Sequence, residues 1–206
     1  MPKKNAYITK FLILSWIVIF ILDTTIFTKA PSISNWFYNI FWNSHGKLNC
    51  LFALIPSHVV NNEYWRVISY AFIHFGILHI VCNISLVSFI GNILEPRISA
   101  VDFIVPVLLG DILAGIACMV FVNENAFITG SSPGIYALYG MFTSHLLLRK
   151  LKNTYMLKKV RNRFIFLLIA VNFLGFDTFL LHAVGFATGM LCGFIQAKCN
   201  HTFVEA

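Results

Sequence analysis

Four polar side chains stand in or beside the most apolar parts of this sequence: Ser132, His182, His79 and Asn83. Their types suit acyl transfer. A serine hydroxyl is a weak nucleophile until a base takes its proton, and histidine is the usual base. The tetrahedral intermediate of amide cleavage carries an oxyanion that needs fixed hydrogen-bond donors. Ser132 lies in ITGSSPGIYALYG (128–140), just ahead of an apolar run. A helix starting there offers free backbone N–H groups and the positive end of its dipole. His79 and Asn83 are four residues apart and share one helix face, from which both can donate. Taken alone, the pair fits hydrogen bonding between helices equally well. His74 precedes His79 by five residues, about 140° around a helix, and is expected to stabilise the bundle. No acid stands out as a third partner, so the expected unit is a Ser–His dyad. Asp177, five residues before His182, is expected in a loop.

The elements that must hold these groups are membrane spans. The chain has 206 residues, 58% of them hydrophobic and only 11% charged, with a mean hydropathy of +0.78. A soluble domain would be about a quarter charged. Apolar runs at 11–27, 67–94, 103–122, 132–148, 164–176 and 179–197 give six expected helices in a single membrane domain, residues 1–206, with its core at about 8–197. The first run lacks a small-residue cleavage site and is read as a retained span. Residues 28–66 form a long first loop, and its Trp36, Phe37, Tyr38, Phe41 and Trp42 suit the water–lipid interface.

Orientation follows from the basic residues. With the N-terminus in the cytoplasm, twelve Lys and Arg side chains fall inside and only Lys29, Lys47 and Arg66 outside. The net charge of +7 is then a topology signal, the run 149–163 included. No nucleic-acid motif accompanies it. The cysteines form no C-x-x-C pair, so neither a disulfide framework nor a metal site is expected, and no cofactor is called for.

Two small-residue patterns suggest how Ser132 and His182 meet. His182 is followed by Gly185, Gly189 and Gly193, a flat groove where another backbone can approach. The fourth run offers Gly134, Ala137 and Gly140 in turn. The fourth run, 17 residues long, spans ~25 Å, short of the ~30 Å hydrocarbon core. Its start is therefore expected below the outer surface, beside a water-filled cavity. By helical rise from Tyr70, His79 lies ~14 Å down, at a matching depth. Asp111, inside the third run, is read mainly as a structural hydrogen-bonding group, with a water or proton path as the other reading. His145 is expected to snorkel or cap the inner end of the fourth helix, and Glu95 and Arg97 to mark a helix boundary.

Together these residues resemble the rhomboid intramembrane serine proteases. Gly130-Ser131-Ser132 resembles the family's G-x-S, with Tyr136 and Gly140 following at the family's spacing. His74, His79 and Asn83 resemble H-x4-H-x3-N, Trp65-Arg66 the W-R pair of the first loop, and Gly91 with Glu95 a G-x3-E. His182, Gly185 and Gly189 are similar to H-x3-G-x3-G. The resemblance implies a six-helix bundle in which Ser132 attacks and His182 is base, then acid. It implies that His79, Asn83 and the Ser132 amide hold the oxyanion and that Tyr136 packs on His182. Trp65 and Arg66 would lie partly in the outer leaflet. The substrates it implies are single-span membrane proteins entering from the side, in the lipid bilayer. One departure is Pro133, where the family usually has glycine. Proline suits the first turn of a helix, so what it bears on is the space beside the nucleophile.

A non-catalytic rhomboid-like protein that binds transmembrane helices is the alternative, and a transporter or haem protein using His74, His79 and His182 a more distant one. The compact composition suggests a multi-pass protein of a bacterial inner membrane, its site facing the periplasm.

Overall fold

The computed structural model describes residues 6–27, 33–41, 46–148, 158, 162 and 176–199. Trp42 and residues 164–175 of the expected fifth span lie outside them. Helix α1, Tyr7–Ile21, runs on as π-helical turns to Phe27. Four short helices follow: α2 (Ile33–Phe41), α3 (Lys47–Phe52), α4 (Pro56–Val60) and α5 (Arg66–Ser69). Then come α6 (Ile77–Leu94), α7 (Ala100–Phe121), α8 (Ser132–Leu147) and α9 (Phe176–Cys199). Among the described residues, four stretches are long and apolar enough to cross a membrane: Tyr7–Ile26, Ile77–Arg97, Ala100–Phe121 and Thr178–Cys199. Their outward faces are apolar. Phe11, Leu14 and Val18 of α1 and Val101, Leu113 and Val120 of α7 are exposed, which is costly in water and suits lipid.

Helix α8 is the centre of the bundle. Every residue from Pro133 to Phe142 is buried, so it has no polar face to give to solvent. With 16 residues it is ~24 Å long. Helices α7 and α9 pack against it and against each other. Without a hydrophobic drive between helices in lipid, close backbone approach supplies the contact. A Cβ added at Gly189 would overlap the carbonyl oxygen of Ala137, one at Gly185 that of Pro133, and one at Gly140 that of Phe186. The small residues on both helices thus form one seam.

The expected second span is not one helix. The apolar run from 67 breaks into α5, a 3-10 turn at Tyr70–Phe72 and extended chain, and α6 begins only at Ile77. Gly76 is extended, with φ −177° and ψ 163°. Upstream, Arg66 is buried and donates to the carbonyls of Ala53 (2.7 Å) and Cys50 (3.0 Å). Trp65 Nε1 donates to Leu51 O at 3.2 Å. These bonds fold the start of the run back over the end of α3, and a helix cannot continue through that turn. Glu63 pairs with Arg66, whose guanidinium holds the Glu63 carboxyl below the usual carboxylate range.

Acidic side chains fasten helix ends across the bundle. Glu95 accepts from Ile8 N (2.7 Å), Thr9 N (2.9 Å) and Thr9 Oγ1 (2.7 Å), capping α1. Glu95 and Arg97 do follow the end of α6, as expected of boundary residues, but Glu95 also ties α6 to α1. Asp23 accepts from Leu48 N (2.8 Å) and Asn49 Nδ2 (2.7 Å), capping α3. The chain between α7 and α8 is stitched to the segment before α6. Leu54 and Ile128 exchange two backbone bonds of 2.9 and 3.0 Å, and Gly130 N donates to Tyr70 O at 2.8 Å.

Candidate active site

Ser132 is the first residue of α8. The turn before it passes through Gly130 at φ +91°, a left-handed conformation that only glycine adopts without strain. Space is the second constraint there. A Cβ at Gly130 would lie 2.6 Å from His79 Cε1, 2.7 Å from His79 Nε2 and 3.0 Å from Asn83 Nδ2. The bare glycine therefore lets the chain entering α8 run directly against His79 and Asn83, which sit one turn apart on α6.

His182 of α9 is buried, and its Nε2 is 2.9 Å from Ser132 Oγ. The seam of small residues brings them together, since Gly185 lies one turn beyond His182 and meets Pro133. The Tyr136 ring stacks on the imidazole, with centroids 4.1 Å apart and planes 3° from parallel. That fixes the ring plane and leaves Nε2 directed at the hydroxyl. Beside Gly130, Asn83 is buried and its Nδ2 donor has no hydrogen-bond acceptor among the described residues. An unspent donor beside a nucleophile is a place for a developing negative charge.

The first turn of α8 has few amides to offer. Pro133 has no N–H. The Gly134 amide donates to Asp111 Oδ1 at 2.8 Å, and the Ile135 amide to Ser131 O at 3.0 Å. Ser132 keeps the one first-turn amide that neither bond uses.

A family profile described as "Rhomboid domain" matches residues 61–199. The chain belongs to the rhomboid family. The match spans the stretch from Trp65 to His182 that holds the candidate residues, and bears out the family resemblance. RHOMBOID-like protein 7 of Arabidopsis thaliana is 29% identical over 158 residues, covering 74% of this chain and 49% of the relative. RHOMBOID-like protein 4 of the same plant is 29% identical over 142 residues, 66% of this chain and 35% of the relative. The chain thus spans about half and about a third of these two proteins. Rhomboid protease GlpG of Haemophilus influenzae is 26% identical over 153 residues, 70% of this chain and 76% of the relative. With its apolar helices, this rhomboid is an integral membrane protein.

Other expected residues fall differently. His74 lies before α6, in non-helical chain, so a helical angle to His79 does not apply. Its ring sits edge-on to Trp16 (5.4 Å) and to His79 (5.2 Å), where it packs behind the His79 ring. The depth argument from Tyr70 falls with the same break, because His79 is in the first turn of α6. His145 neither snorkels nor caps. It is buried, and its Nε2 meets Gln196 Oε1 of α9 at 2.8 Å. Asp177, expected in a loop, is in the first turn of α9. Asp111 is the structural hydrogen-bonding group that the sequence suggested, though the sequence did not show with what. Its signal was an acid within an apolar helix, but its partners, Ser131 and Gly134, lie on another element.

Proposed function

We propose that this rhomboid is an intramembrane serine endopeptidase that cuts single-span membrane proteins in or near their transmembrane segment. The observation that carries the reading is the 2.9 Å approach of His182 Nε2 to Ser132 Oγ at a helix start. In the proposed reaction Ser132 Oγ attacks the scissile carbonyl as His182 Nε2 takes its proton. His79, Asn83 and the Ser132 amide stabilise the oxyanion. The imidazolium then gives the proton to the leaving amine, and the C–N bond breaks. Water, deprotonated by the same nitrogen, hydrolyses the acyl-enzyme and frees Ser132. In this reading the chain is one domain of six spans. Its N-terminus is in the cytoplasm, and its site opens outward, in a bacterial inner membrane.

Pro133 favours a second reading, a rhomboid that holds transmembrane helices without cutting them, because it puts a proline ring directly beside the nucleophile where the family usually has glycine. Labelling with a fluorophosphonate probe in detergent or liposomes separates the two. Wild type and Ser131→Ala are expected to label, and Ser132→Ala is not. Unlabelled, folded wild type would overturn the protease reading in favour of the second.

A further inference from the structure

Ser131 occupies the N-cap position of α8, where a serine ordinarily accepts from the amide two or three residues on. Here it makes no such bond. It turns away and donates to Asp111 Oδ2 at 2.6 Å. The other carboxylate oxygen takes the Gly134 amide, the one Ser131 would have capped, at 2.8 Å. Asp111 comes from α7 and is buried. It caps the nucleophile's helix from outside.

The same residue closes a second link. Tyr70, fully buried, donates its hydroxyl to the Asp111 carbonyl at 2.7 Å. The Tyr70 carbonyl in turn accepts from Gly130 N at 2.8 Å. Gly130, Ser131 and Gly134 are thus held on both sides of Ser132 by one pair of residues. Ser132 itself is left to face His182. Pro133 makes the outside cap more consequential, because it removes an amide that could otherwise anchor the turn.

We infer that Asp111 is a positioning residue for the proposed protease, clamping the 130–134 turn so that Ser132 Oγ and its amide keep their geometry. The inference rests on the protease reading. Misplacement of a reacting group by about 1 Å costs on the order of a hundredfold in rate. The clamp needs an acceptor for Gly134 and a hydrogen-bond partner for Ser131. An asparagine side chain supplies both, and an alanine neither.

The test compares wild type, Asp111→Ala, Asp111→Asn and Ser131→Ala in liposomes with a single-span substrate. Hydrogen exchange of the peptide spanning 129–136 is followed in parallel. Asp111→Ala is expected to lower kcat about tenfold or more with KM within about twofold, and to speed exchange in that peptide. Asp111→Asn is expected to restore both, and Ser131→Ala to fall between. Should Asp111→Ala not fold, Ser131→Ala against Asp111→Asn carries the comparison. Loosened exchange with unchanged kcat, or an Asp111→Asn variant no better than Asp111→Ala, would overturn the inference. So would a change confined to KM. Absence of turnover in wild type would sink the protease reading instead, and exchange that Asp111→Ala leaves unchanged would still sink the clamp.

Discussion

Nε2 of His182 and the hydroxyl of Ser132 share one hydrogen bond, so in the proposed mechanism they act as a unit. Removing either is expected to cost as much as removing both, on the order of a millionfold in kcat. Additive losses in the double variant would contradict the dyad. Asn83→Ala is expected to cost less, about a hundredfold, because the Ser132 amide and His79 remain as donors. A complete loss in folded Asn83→Ala protein, measured by the same turnover assay, would argue that Asn83 does something else. These residues were legible in the sequence because a polar group is rare within an apolar run and helical spacing sets its face. Asp111 was visible for the same reason and its hydrogen-bonding role was read, but its partners were not. Spacing reports which face a residue is on, not which element lies opposite. His145 was misjudged on the same account, since its partner Gln196 is 51 residues away.

At the scale of elements, two contacts decide how the helices sit. Glu95 accepts three hydrogen bonds from the first turn of α1. Glu95→Ala leaves those donors unpaired and is expected to destabilise the protein by about 2–4 kcal/mol, read as a lower apparent Tm in detergent. The α8–α9 seam leaves no room for a side chain at Gly189. Gly189→Val must push the two helices apart, which costs about 1–3 kcal/mol or more. It should also lower fluorophosphonate labelling, since the same seam sets the His182–Ser132 distance. A Gly189→Val protein with wild-type Tm and labelling would contradict this account of the seam. The start of α8 was readable from Gly130, Ser131 and Pro133, whose local chemistry favours a turn into a helix. The break before α6 was not readable. Residues 67–76 are mostly apolar, and the cause of the break is Arg66 reaching back to Ala53 and Cys50, a tertiary effect that hydropathy does not register.

For the molecule as a whole, the short, buried α8 holds its N-terminus inside the bundle, with α7 on one flank and α9 on the other. That arrangement gives the proposed chemistry a protein-lined site among helices whose outer faces are apolar. The membrane class followed from composition alone, because a soluble fold cannot expose so much apolar surface. The family followed from the order of several short motifs, each one weak by itself. The claim that remains central is peptide-bond cleavage within the membrane. The most direct measurement reconstitutes wild type, Ser132→Ala and His182→Ala with a single-span membrane protein in liposomes and identifies the products by mass spectrometry. The account predicts two fragments, cut in or near the transmembrane segment, from wild type alone. Intact substrate with folded wild type, or the same fragments from Ser132→Ala, would contradict it.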